Sequence, residues 1–156
     1  ANFNYLDKSI QWTGADPNPH ARDYALRNGE AHGVRSEWVT APAEQLPFPD
    51  QRFDAVICTL TLCSVREPEA VLREIRRVIR PGGRFVFLEH VIAPDHAALC
   101  RKQRRWRPIF RFCCGCTPDR DTLSLIRASG FAALEVKELD LPIPIVTPHI
   151  AGFAVR

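Results

Sequence analysis

Candidate functional residues lie at or directly after the ends of apolar segments of this sequence. Asp16 closes a segment that begins at Ile10, Thr59 and Leu60 follow a β-branched run, and Glu89 and His90 close another apolar run. Ligands of open α/β sheets bind beyond the carboxyl ends of the strands. A carboxylate there can accept hydrogen bonds from both hydroxyls of a ribose, and an imidazole can take up a proton near neutral pH.

Five candidate site residues, Asp16, Glu44, Cys63, His90 and His149, also have a purely structural interpretation, which the sequence leaves open. Asp16 begins an Asp-Pro-Asn stretch that explains a turn equally well. Glu44 lies among prolines that already specify a turn, and His90 is equally compatible with a core histidine bonded to the backbone. Cys63 is compatible with a small packing residue, and His149 follows Pro148 at the start of a strand.

The elements that position these side chains follow from periodicity and from proline and glycine punctuation. Asn18-Pro19 and Thr117-Pro118 each offer a cap followed by proline at the first helical position. A third helix starts at Pro68 and carries an apolar face. The predicted helices cover 19–32, 68–80 and 117–129, and the predicted strands cover 10–16, 34–40, 53–59, 84–91, 131–139 and 150–155.

Alternating strands and helices predict an α/β fold, with a Rossmann-like, mostly parallel sheet covered by helices on both faces. The run at 53–59 is apolar enough for the centre of that sheet, and the last two strands predict an antiparallel hairpin at one edge. We expect one domain over residues 1–156, with a long irregular insert at 92–116 that serves as a lid.

Composition narrows the class of protein. The chain has 156 residues, of which 46% are apolar and 25% charged, and its net charge is only +3, so no nucleic-acid partner is expected. It contains neither an apolar run of the roughly 20 residues that a membrane span needs nor a secretory leader pattern. We expect a cytoplasmic protein. The six cysteines show no paired C-x-x-C spacing, so no metal is expected.

The loop and turn segments resemble one enzyme family. The stretches APAEQLPFPDQRFDAVICTLTLCSV and VIRPGGRFVFLEHV are similar to the type 11 group of class I S-adenosylmethionine-dependent methyltransferases. DPNPH, CTLTLCSV, the Gly-Cys that ends the insert and the terminal PHIAGFAVR look most like the methyltransferase-like alkyl-thiol methyltransferases. The resemblance covers essentially the whole chain. It implies S-adenosylmethionine as cofactor and methyl transfer to a small lipophilic acceptor, foremost a thiol.

The resemblance also implies residue roles. Asp16, followed by Pro17, would hold the ribose hydroxyls, while Ala43 and Glu44 would frame the adenine. Thr59 and Leu60 would line the cofactor. The acceptor would lie near three side chains, Cys63, His90 and His149. His90 would be the catalytic residue, because a thiol with a pKa near ~8.5 needs at most a weak base.

One part of the family pattern has no match. The sequence contains no G-x-G-x-G loop, and the opening ANFNYL resembles the helix that follows such a loop, with Phe3, Tyr5 and Leu6 packing inward. We therefore expect an N-terminally incomplete domain that lacks its first strand, and weak cofactor binding by this chain alone. A quinone ring carbon or a lipid amine as acceptor, and a non-catalytic interaction module, stay open. A nucleotide-dependent dehydrogenase is disfavoured, because it needs a glycine-rich loop leading into its first helix.

The insert adds a possible surface role. Residues 101–112 interleave six basic side chains with Trp106, Ile109, Phe110 and Phe112, which suits a peripheral membrane surface, with an ordinary solvated helix as the alternative. An anchor upstream of Ala1 would make the protein membrane-associated.

Overall fold

The computed structural model describes residues 2–156 and contains two compact units, one ending at Pro47 and one comprising Phe48–Arg156. Each unit is described by itself below. The expectation of a single domain therefore stays a prediction. The expected place of Ala1 in a first helix lies outside the described residues.

The N-terminal unit is a strand–helix–strand unit, as predicted. Strand β1 (Gln11–Ala15) is followed by helix α1 (Pro19–Ala31) and strand β2 (Arg35–Val39), and the two strands pair in parallel. The Asn18 side chain caps α1 by accepting a hydrogen bond from the His20 amide at 3.0 Å. The helix expected at the start of the chain is only a 3-10 turn, Phe3–Tyr5. Phe3 is buried against Trp12, but Tyr5 is 87% exposed, so its predicted inward packing is wrong.

The C-terminal unit begins with β3 (Phe53–Thr59), α2 (Pro68–Val78) and β4 (Ile79–His90). It continues with α3 (Ala97–Cys114), α4 (Thr122–Ala128), β5 (Ala133–Asp140) and β6 (Pro148–Val155). The four strands form one sheet in the order β3-β4-β6-β5, in which β3 and β4 are parallel and the other two pairs are antiparallel. The predicted C-terminal antiparallel hairpin at a sheet edge is confirmed.

Three expectations about this unit are wrong. Within the described sheets β3 has only β4 as a neighbour, so it forms an edge and leaves Ile57 42% exposed. The last helix begins at Thr122 rather than at Thr117, because Asp121 caps it by accepting from the Ser124 amide. The 92–116 insert is mostly the regular helix α3, which runs through Pro108 and ends at Gly115 in the left-handed conformation.

The core of the C-terminal unit lies between α2 and the sheet. The apolar face of α2 is fully buried, as its helical spacing predicts, through Val71, Leu72, Ile75 and Val78. Phe85 and Phe87 lie buried in β4. Their packing fixes the position of the carboxyl end of that strand. Two parallel and two antiparallel strand pairs make the described sheets mixed, so a mostly parallel sheet is confirmed only in part. No helix in residues 2–156 is both long and apolar enough to cross a membrane.

Candidate active site

Glu89, near the carboxyl end of β4, organises the turn that follows β3. Its side chain is fully buried, and Oε1 accepts from the amides of Thr61 at 2.8 Å and Leu62 at 2.9 Å. Oε2 accepts from the Cys63 amide at 3.2 Å. Burial raises the pKa of Glu89, while the three amide bonds oppose that rise. One carboxylate thus fixes three consecutive backbone groups of a loop that would otherwise leave them unpaired.

This turn places a thiol beside an imidazole and a second thiol. Cys63, His90 and Cys116, here called the Cys–His–Cys cluster, bring one ligand atom each within 4.8 Å of the others. The Nε2 atom of His90 lies 2.6 Å from the Cys116 Sγ atom. All three residues are buried, and they come from the turn after β3, the end of β4 and the segment after α3. Residues that are far apart in the sequence therefore share one small site.

The two thiols of this cluster hold their protons differently. A hydrogen bond from Cys63 lowers the pKa of Cys116 to about 5, and the contact with His90 acts in the same direction. The same bond raises the pKa of Cys63, and burial adds to that rise. Both shifts favour the thiolate form at Cys116 and the protonated form at Cys63.

His149 joins this region from the neighbouring strand. It pairs with His90 in the antiparallel β4–β6 register, and the two rings meet edge to face with centroids 6.1 Å apart. Its Nδ1 atom lies 3.1 Å from the carbonyl oxygen of Thr147. In the described part of the chain the Nδ1 atom of His90 has no hydrogen-bond partner. The three residues predicted to face the acceptor, Cys63, His90 and His149, therefore do lie together.

Two residues of this region were not singled out from the sequence as site residues, Cys116 and Arg120. The Arg120 guanidinium donates to the carbonyl oxygens of Leu62 and Val65. The Thr117 amide donates to the Cys63 carbonyl at 2.8 Å, which joins the segment after α3 to the turn after β3. The only signal in the sequence was the Gly-Cys that the resemblance had marked, and nothing in it pointed to Arg120.

The cofactor residues predicted in the N-terminal unit lie in two loops. Asp16 follows β1; its amide donates to the Val39 carbonyl at 3.4 Å, and its Oδ1 atom accepts from the Asn18 amide at 2.7 Å. The structural interpretation of Asp16 as a turn residue is thus correct, and its half-buried carboxylate keeps Oδ2 for another partner. Pro17 is exposed, and Ala43 and Glu44 are half-buried in a turn that the Gln45 amide closes.

The cofactor residues predicted in the C-terminal unit, Thr59 and Leu60, end β3. Leu60 adopts a left-handed backbone with φ of 53°, which is uncommon for a residue with a branched side chain. Its amide donates to the Leu88 carbonyl at 2.8 Å, and its side chain is 44% exposed. Backbone strain of this kind is concentrated at ligand sites. The observation supports a binding role for this turn.

Comparison with known proteins identifies the family. Residues 1–87 match the family described as "Methyltransferase domain". The chain is 33% identical over 165 residues to human thiol S-methyltransferase TMT1A, a match that covers all of this chain and 66% of that protein. It is 34% identical over 123 residues to the demethylmenaquinone methyltransferase of Clavibacter sepedonicus, covering 67% of this chain and 50% of that protein.

A solved structure shows the same fold. An S-adenosylmethionine-dependent methyltransferase from Methanosarcina mazei superposes with a TM-score of 0.70 at 19% identity, covering 98% of this chain and 95% of that one. This likeness confirms a Rossmann-like α/β fold. The chain spans 66% of the length of its human relative. Together with the family match over residues 1–87, these findings show that the chain belongs to the class I S-adenosylmethionine-dependent methyltransferases.

Proposed function

We propose that this protein transfers a methyl group from S-adenosylmethionine to a small lipophilic thiol. The observation that carries this proposal is the similarity to thiol S-methyltransferase TMT1A along the whole of this chain. The clustering of Cys63, His90 and His149 supports it, because these are the residues that the sequence assigned to the acceptor.

The residues present in each unit are compatible with the cofactor. In the N-terminal unit, the Oδ2 atom of Asp16 is available to a ribose hydroxyl beyond the end of β1. In the C-terminal unit, the strained turn at Leu60 exposes its side chain beyond the end of β3. The roles of Asp16, Pro17, Ala43 and Glu44, and those of Thr59 and Leu60, stay predictions. When bound, the cofactor supplies a methyl group on a sulfonium, which brings its own leaving group.

Proton removal requires little from the protein. A thiol with a pKa near ~8.5 is already partly ionised at neutral pH, so orientation and exclusion of water are the main tasks. His90 as proton acceptor stays a prediction. The Nε2 atom of His90 is engaged by the Cys116 sulfur at 2.6 Å, so the nitrogen left for an acceptor proton is Nδ1, which has no partner in the described part of the chain.

A quinone ring carbon is the second candidate acceptor. It is favoured by the 34% identity to a demethylmenaquinone methyltransferase, which extends over 67% of this chain. A lipid amine remains a third possibility from the sequence, as does a non-catalytic module. We rank the thiol first because the thiol S-methyltransferase match covers 100% of this chain.

A competition assay tests the choice of acceptor. The protein is incubated with methyl-labelled S-adenosylmethionine and an equimolar mixture of an alkyl thiol, a demethylated quinone and a lipid amine. The thiol proposal predicts a labelled thioether as the main product. A labelled quinone with an unlabelled thiol would replace the proposal by carbon methylation.

We also propose that α3 contacts a membrane surface. Trp106, Ile109 and Phe112 recur every third residue and are 42%, 50% and 92% exposed. Five of the six basic side chains around them have no ion pair in the described part of the chain, and only Arg107 has one, with Asp119 at 3.5 Å. An exposed apolar stripe with basic neighbours is typical of helices that lie in a membrane interface.

Vesicle sedimentation tests this surface. Anionic vesicles should retain the protein more strongly than zwitterionic ones because of the basic side chains, and serine at Trp106 and Phe112 together should weaken retention on both. Ile143→Ser is the matched control, since Ile143 is 42% exposed outside α3. If the Trp106 and Phe112 double variant is retained as strongly as Ile143→Ser, or if the unmodified protein is not retained at all, the membrane proposal is wrong.

A further inference from the structure

The Cys–His–Cys cluster has the composition of a transition-metal site. Cysteine thiolates and a histidine imidazole are the ligands that Zn²⁺ takes in proteins, and three protein ligands are typical of zinc sites that keep a fourth position for water or substrate. The sequence had argued against a metal because its six cysteines show no paired C-x-x-C spacing. The structure assembles a different set, in which Cys116 meets Cys63 and His90.

The spacing of the ligand atoms fits a metal ion. In a tetrahedral zinc site with bonds of roughly 2.3 Å to sulfur and 2.0–2.1 Å to nitrogen, ligand atoms lie roughly 3.6–3.8 Å apart. The three ligand atoms here all lie within 4.8 Å of one another. The contact of 2.6 Å between His90 and Cys116 must lengthen by roughly 1 Å to admit the ion.

The backbone around the cluster is held in place by other interactions. Glu89 fixes the three amides of residues 61–63, and Arg120 bonds two carbonyl oxygens of the same turn. The Thr117 amide secures the segment that carries Cys116. The site is therefore preorganised by contacts that do not use its sulfur or imidazole atoms.

His90 faces the two thiols with its Nε2 atom, which is therefore the nitrogen that would bind an ion. Its Nδ1 atom has no hydrogen-bond partner in residues 2–156 and would carry the ring proton, as metal-bound histidines usually do. A disulfide between the two cysteines would leave the imidazole without a role, whereas a metal uses all three side chains.

We propose that Cys63, His90 and Cys116 bind Zn²⁺ and leave its fourth position to the sulfur of the acceptor thiol. The second half of this proposal rests on the proposed function. Zn²⁺ binding displaces the Cys63 proton to the solvent. When the acceptor thiol then binds the metal, its S–H bond breaks, the proton passes to the solvent, and the acceptor sulfur keeps the electron pair. That pair then forms the new S–CH₃ bond as the methyl–sulfonium bond of the donor breaks. His90 is in this case a metal ligand rather than the proton acceptor.

Metal binding is measured first, without cofactor or acceptor. The reduced chain is titrated with Zn²⁺ and, in parallel, with Co²⁺, whose thiolate charge-transfer absorption reports cysteine ligation. We expect one ion per chain. Cys63→Ser, His90→Gln and Cys116→Ser should each weaken binding by at least about tenfold. The matched control replaces Cys113 and Cys114 by serine, because both are exposed and lie outside the cluster.

Each outcome decides one part of the proposal. No stoichiometric binding by the unmodified chain, or binding that Cys116→Ser leaves unchanged, overturns the metal site. A Cys63–Cys116 disulfide recovered from protein that binds no zinc does the same. Because the variants are judged by metal content, circular dichroism is recorded to show that each is folded.

The thiol role is tested separately from the proposed function. Addition of an alkyl thiol should change the Co²⁺ spectrum in the absence of S-adenosylmethionine. A metal-loaded protein whose spectrum does not respond keeps the site but loses the thiol role. Thiol methylation at an undiminished rate by metal-free protein would likewise remove the thiol role of the metal while leaving the proposed function intact.

Discussion

Replacing Glu89 by alanine should destabilise the C-terminal unit more than any surface substitution. The change removes the acceptor of three backbone amides, of which those of Leu62 and Cys63 belong to buried residues. A hydrogen bond to a charged group contributes about 1.5–3 kcal/mol. Allowing for partial rescue of the more exposed Thr61 amide by water, we expect a loss of roughly 3–6 kcal/mol, a large part of the ~5–15 kcal/mol that holds a domain together.

Glu89→Gln should lower the stability less than Glu89→Ala does, for a geometric reason. The amides of Thr61 and Leu62 share the Oε1 atom, which the carboxamide oxygen of glutamine can replace. Its NH₂ group then faces the Cys63 amide, so one bond of three is lost. We expect a loss of roughly 1–3 kcal/mol. Asp54→Asn is the control, since Asp54 is 78% exposed in its pair with Arg80 and should change stability by less than ~1 kcal/mol.

Urea denaturation and amide hydrogen exchange measure these effects together. Exchange resolves the three amides individually, so it reports the turn even if the two compact units unfold separately. Glu89→Ala should accelerate exchange at residues 61–63 well before it affects β5. An alanine variant within ~1 kcal/mol of the unmodified protein, with slow exchange at these amides, would refute the assignment of Glu89 as the organiser of this turn.

Three further predictions concern contacts within the C-terminal unit. Gly152→Ala should lower the unfolding midpoint, because its Cβ would lie 2.0 Å from the Glu135 carbonyl oxygen. A midpoint equal to that of the unmodified protein would contradict this. Gln103→Leu should lower the free energy of unfolding by roughly 2–3 kcal/mol and expose α3 to proteolysis. The fully buried side-chain amide of Gln103 accepts from the Ala93 amide and donates to the Val91 carbonyl. Proteolysis at the rate of the unmodified protein would show that other contacts hold α3. Arg120→Met should lower the free energy of unfolding in urea by roughly 2–4 kcal/mol, because two carbonyl oxygens lose their donor. A loss of stability smaller than that of Asp54→Asn would disprove the role of Arg120 in holding this turn.

Local signals in the sequence predicted the elements well. The Asn18-Pro19 start of α1, the buried face of α2 and the terminal hairpin all arise from interactions between residues close in the chain or from a simple two-residue alternation. The 117 start of the last helix failed because two cap signals compete within five residues. Asp121 supplies the side-chain bond to the Ser124 amide, and the Thr117 amide instead bonds Cys63.

The site was predictable only in part, because its decisive contacts are distant in sequence. Glu89 reaches amides 26–28 residues away, a pairing that no periodicity encodes. Cys116 looked like one member of a cysteine-rich run. In the structure Cys113 and Cys114 lie exposed on α3, Gly115 turns the chain with φ of 70°, and Cys116 alone enters the core. Cys63, His90 and His149 were assigned to the acceptor through the family resemblance, and the structure brings them together where β3 and β4 end and β6 begins.

The central claim is that this chain directs methyl transfer to sulfur. Its most direct test is mass spectrometry of the product formed from deuterated-methyl S-adenosylmethionine and a single small alkyl thiol. The account predicts a thioether that carries the intact labelled methyl group, formed more slowly by Cys116→Ser than by the variant with serine at Cys113 and Cys114. Absence of this thioether, while a demethylated quinone is labelled on ring carbon under the same conditions, would contradict it.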